Sequence, residues 1–136
     1  MVTKDERAQL YVEFLEEQGF RPQIDEAGDV AFRFEGGYYV ITIDPDDDEF
    51  FQLLFPSFFT LRGDEDRRRA APAAVVAAAR TKVVKVYAAG DRVHAAAEAF
   101  CSPPESVRPV LLRMLGAIQA AVHQFHEAMR VPSVLQ

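Results

Sequence analysis

From Phe50 to Leu61 the chain carries bulky apolar side chains on both sides of an extended segment. Alternation puts Phe51, Leu53, Phe55 and Phe59 on one face and Phe50, Leu54 and Phe58 on the other. A lone edge strand of this kind would be adhesive, because its backbone groups and its greasy faces both seek partners. The segment must therefore be covered on both sides, by this chain or by another. The first reading is a buried central strand. The second is a surface that docks a partner segment or a second subunit.

The flanking patterns say what surrounds it. Thr3 and Glu6 have capping-box spacing, and the apolar arc Ala8, Leu10, Tyr11, Val12, Phe14 and Leu15 predicts a helix over residues 4–18, stopped by Gly19. A short strand is expected from Phe20 to Ile24. Val30, Phe32 and Phe34 then alternate with Ala31, Arg33 and Glu35. A two-residue loop at Gly36-Gly37 would set Phe34 opposite Tyr39, Phe32 opposite Ile41 and Val30 opposite Ile43. The run Asp44-Pro45-Asp46-Asp47-Asp48-Glu49 reads as a solvated loop.

Beyond the aromatic segment, Asp64-Glu65-Asp66 suits a helix start. Arg67 to Arg80 continues the helix through alanines, and Pro72 implies that it begins near Ala71 or bends there. Lys82–Ala88 and Arg92–Phe100 form a second hairpin, turning at Ala89-Gly90-Asp91, with Val93, Ala95, Ala97 and Ala99 on one face. Ser106 is the expected cap of a last helix reaching about Arg130, with Pro109 in its first turn. Val110, Leu111, Met114, Leu115, Ile118, Val122, Phe125 and Met129 trace its apolar face. Val131–Gln136 is expected to be loose. The 136 residues show no internal repeat and no linker, so one α+β domain is expected, a twisted antiparallel sheet flanked by helices.

Charge and composition narrow the function. The formal charge is −6 and the pI about 5.0, which disfavours a direct grip on nucleic acid and favours a partner with a basic face. Cys101 is the only cysteine, so neither an internal disulfide nor a cysteine zinc site is expected. The polar start lacks a signal-peptide core, and no apolar run is long enough to span a bilayer, so a cytoplasmic protein away from membranes is expected.

No motif organises catalysis, a cofactor or a metal. Asp44, Asp46 and Asp48 have the spacing of a calcium loop, but Glu49 stands where glycine is needed and Phe55 where the bidentate glutamate is needed. His123 and His126 lack a third ligand, and their order is not that of a zinc hydrolase. His94 and Cys101 fall on opposite parities of one strand, which separates a base from a nucleophile. Arg67-Arg68-Arg69 follows three acids and reads as a solvated face.

The helix ending Phe14-Leu15-x-x-x-Gly19-Phe20, the Gly36-Gly37 hairpin and the acidic loop before Phe50-Phe51 together resemble the YbjN family. The strand Val83-Val84-Lys85-Val86 and the final Ala121-Val122-x-x-Phe125 carry the same resemblance, which covers about residues 4 to 129. The alanine-rich second helix with Pro72 departs from the family's Leu/Asn-rich one. The resemblance implies the type III secretion chaperone fold, α-β-β-β-α-β-β-α, and a homodimer that works by binding other proteins. It implies no catalytic residues. The expectation is a non-enzymatic, chaperone-like or adaptor protein that holds an unidentified client. Phe50, Leu54, Phe58 and Phe59 are the expected client contacts, and Val75, Val76 and Ala79 the expected dimer contacts. The alternative is a small-ligand sensory domain with a pocket between the sheet and the last helix.

Overall fold

The computed structural model describes residues 2–130; the tail expected to be loose lies outside them. Helix α1 spans Lys4–Glu17. Its capping box is complete: the Glu6 N–H donates to Thr3 Oγ1 and the Thr3 N–H to Glu6 Oε1, each at 3.1 Å. Gly19, at φ 93°, ends it. The Phe20 N–H reaches back to Leu15 O and the Gly19 N–H to Glu16 O, so two otherwise orphaned carbonyls are satisfied.

Six strands follow the order β1-β2-β3-β4-β6-β5, every neighbouring pair antiparallel. They are β1 Gln23–Ile24, β2 Val30–Phe34, β3 Gly37–Thr42, β4 Phe50–Thr60, β5 Val84–Ala89 and β6 Arg92–Phe100. Helix α2, Gly63–Ala79, connects β4 to β5; a 3₁₀ turn, Pro104–Val107, precedes α3, Arg108–Arg130. The α+β class and the element order agree with the expectation. The aromatic segment is an inner strand, β4, between β3 and β6.

Four local details differ. The first strand shrinks to two exposed residues. In the first hairpin Phe32 faces Tyr39 and Val30 faces Ile41, two residues off the expected register. The loop is Glu35-Gly36, at φ 48° and 79°, because a two-residue turn that fits strand twist needs both central residues left-handed. A shift of two preserves the faces, so the apolar set still lands together. Helix α2 begins at Gly63 and runs through Pro72, which removes the start near Ala71 and keeps the helix opening at the acidic triplet. Ser106 does not cap α3, since its hydroxyl donates to Pro103 O at 2.7 Å within the 3₁₀ turn.

The core lies on one side of the sheet. Val30, Phe32, Tyr39, Ile41, Phe51, Leu53, Val93, Ala95, Ala97, Val84 and Val86 share that side. Tyr11, Phe14 and Leu15 of α1, Ala73 and Ala77 of α2, and Leu115, Ile118 and Phe125 of α3 join the same cluster. All three helices thus pack on one face. Alanines on α2 let it lie close to its neighbours, and small side chains on β6 let α3 settle over the middle of the sheet.

A candidate binding face on the open side of the sheet

The side chains of opposite parity point away from the helices. One row crosses all six strands: Gln23, Ala31, Val40, Leu54, Ala96 and Lys85 are successive register partners. Ala31, Val40 and Ala96 are buried yet lie outside the helix-covered core. Short side chains sink between taller neighbours, which leaves an apolar trough with Leu54 at its centre.

A polar ladder borders the trough. Thr42 Oγ1 donates to Gln52 Oε1, Gln52 Nε2 donates to Glu98 Oε2 at 2.5 Å, and Lys85 Nζ lies 2.9 Å from the same carboxylate oxygen. The ladder links four strands and balances its own charge. On the other flank, His94 Nδ1 accepts the Ser57 N–H at 2.8 Å, and its ring lies 5.3 Å from that of Tyr87. That bond requires Nδ1 to be unprotonated. It also secures a bulge: the β4–β6 register shifts between Phe55 and Phe59, with Ser57 at φ 52°.

The bulge redirects one expected contact. Simple alternation puts Phe58 with Phe50 and Leu54. Across the bulge β4 uses two residues more than β6, and Phe58 turns to the helix side, where its ring lies 5.4 Å from Phe125 and 5.8 Å from Phe55. Phe59 lies 5.2 Å from Phe125 and 5.6 Å from His126. The four aromatic-strand residues singled out in the sequence therefore divide. Phe58 and Phe59 are engaged by α3, while Phe50 and Leu54 remain on the open face. Of the helix set, Val75 is 68% exposed and Ala79 is exposed, whereas Val76 packs against the core.

At the end of the open face Phe50 meets Phe100, ring centroids 6.0 Å apart, and Phe100 is 80% exposed. The acidic loop adjoins this pair: Glu49 O accepts the Cys101 N–H at 2.6 Å. Beneath the loop lies Arg7, only 1% exposed. Its guanidinium donates to Asp44 O at 2.6 Å and Asp47 O at 3.2 Å. Asp44 and Asp47 side chains accept the Asp46 and Glu49 N–H groups at 2.8 and 3.0 Å. The loop's carbonyls thus face a buried cation, which is repulsive toward a calcium ion.

The other candidate chemistry is dispersed. His94 lies on the open face and Cys101 in the helix-side core, seven residues further along the chain, about 23 Å for extended backbone. His123 and His126 line a depression of about 520 Å³ with Asp66, Glu127 and Arg130. Burial first, then the nearby Arg130 and His123, hold His126 below its usual pKa. Arg67 pairs with Asp64, and Arg68 and Arg69 with Glu65. Among the described residues no three His, Cys, Asp or Glu converge as metal ligands. No helix among them is long and apolar enough to cross a membrane.

Sequence reasoning missed Ala31, Val40, Ala96 and Arg7. Parity alone could have found the first three, because they are small apolar members of the face opposite the core. No protein-family model matches the chain, and no curated protein matches it.

Proposed function

We propose that this is a non-enzymatic, cytoplasmic protein-binding module, chaperone-like or adaptor in character and related to the YbjN family. It offers the open sheet face to a client and self-associates through the outer side of α2. The observation that carries the reading is the apolar row Ala31–Val40–Leu54–Ala96, outside the helix-covered core, with Leu54 half-buried and Phe100 exposed beside it. An apolar strip bordered by polar side chains on an open sheet face is the kind of surface that partner proteins cover. The client segment is apolar and basic. Its apolar anchors match Leu54, Phe50 and Phe100, and its cations match Asp46, Asp48 and Glu49 of the adjoining loop. The balanced Glu98–Lys85 pair keeps the middle of the face neutral.

Selection of peptides displayed against the full chain tests this directly. Binders are expected to combine Leu, Ile or Phe with Lys or Arg. Leu54→Asp and Phe100→Asp are each expected to weaken them at least tenfold, since a charge then enters a desolvated contact. Binders of no common composition, or binders indifferent to both substitutions, would remove the open face from consideration.

A further inference from the structure

A second surface lies on the helix side of the sheet, away from the open face. Val110, Met114 and Ala117 of α3 face Val83, just before β5, and Ala99 of β6. They enclose a groove of about 350 Å³, within the ~300–1,000 Å³ typical of small-molecule clefts. The spacing of Val110, Arg113, Met114 and Ala117 sets these residues along one helical face. Lys82 and Arg113 complete the lining, and no carboxylate contributes to it.

The chain has 21 acidic against 15 basic side chains. Lys82 and Arg113, like Arg21, Arg33, Arg62 and Arg80, form no ion pair among the described residues, so no carboxylate offsets their charge at the groove. The groove is therefore a positively biased, apolar cleft on an acidic protein, and its field favours an anion. Val83 adds an independent sign of use. It is β-branched yet sits at φ 59°, and it is 61% exposed at the groove. Left-handed backbone is costly for such a residue, and strain of this kind gathers at binding sites.

We propose that this groove binds a small anionic amphiphile, a carboxylate carrying a medium-length apolar chain. The chain lies on Val83, Ala99, Val110, Met114 and Ala117. The carboxylate meets Arg113, whose planar fork matches its two oxygens, with Lys82 adding charge. The limited volume selects a free small molecule over a protein segment, which needs a longer track. The site is separate from the client face, so either can fail alone.

Calorimetric titration of the full chain with octanoate, octanol and octylamine, each below its self-assembly concentration, tests the assignment. Octanoate is expected to bind about tenfold tighter than octanol, the scale of one charge-assisted contact, and octylamine weakest of all. Octanoate is expected to shift the methyl resonances of Val83, Val110, Met114 and Ala117. Arg113 is exposed, so Arg113→Gln leaves the fold intact and is expected to bring octanoate down to the octanol level. Leu54→Asp is expected to leave octanoate binding unchanged. Equal affinity for octylamine, shifts centred on Ala31 and Val40, or undiminished binding by Arg113→Gln would overturn the proposal. Binding of an acidic apolar peptide without octanoate would overturn it in favour of a protein partner.

Discussion

Arg7 shows how one side chain decides a loop. The sequence places it in the first turn of a capped helix, where a cation is ordinarily solvated. The fold brings Asp44 and Asp47 carbonyls onto its guanidinium from about forty residues away, and its Nε finds no partner. Replacing it leaves those carbonyls without donors. Arg7→Met is expected to cost about 2–4 kcal/mol, read from urea unfolding, because bonds to a charged donor outweigh neutral ones. Gly37 is decided by space: a Cβ there would lie 2.9 Å from Tyr39 Cε1 and 3.1 Å from Phe55 Cζ, inside the stacked rings. His126 gives the protein a pH dependence. Its folded pKa lies below the ordinary 6.5, so the unfolded chain binds the proton more readily. This contribution is whole above pH 6.5 and is lost as pH falls through the folded pKa. Thermal melts below pH 6.5 are expected to drop less for His126→Gln than for the unaltered chain.

At the scale of elements, local pattern was a good guide wherever one strong rule acted alone. The Thr3–Glu6 box, the Gly19 stop and the alternation of β2 are each satisfied by neighbouring residues. The misreadings arose where two rules competed. Gly36-Gly37 looked like the hairpin loop, but Glu35 takes left-handed backbone so that Gly37 can enter the strand beneath Tyr39 and Phe55. Pro72 left open a start near Ala71 or a continuing helix, and α2 runs through it because Ala70, Ala73, Ala74 and Ala77 are buried against the rest of the core. Tertiary packing there outweighs the lost Arg68 carbonyl partner. Pro72→Ala restores that bond and is expected to stabilise the protein by about 1–3 kcal/mol, measured as a raised denaturation midpoint.

The described residues form a two-layer structure, three helices on one side and a sheet face that they leave open on the other. The proposed self-association belongs at this scale. Val75 and Ala79 lie outward on α2, opposite its buried alanines, so a second copy would meet them without disturbing the core. Val75→Asp is expected to convert a dimer to a monomer in sedimentation, with unchanged circular dichroism. The order of elements, the single domain, the two-sided character of β4 and the acidic surface were all written in the sequence. Periodicity, caps and charge are local quantities, and a linear pattern carries them in full. The side on which the helices gather, the bulge that turns Phe58 toward Phe125, the burial of Arg7 and the groove at Val83 were settled only by tertiary structure. Each depends on residues distant in the chain meeting in space, and alternation gives two faces without saying which one will be covered.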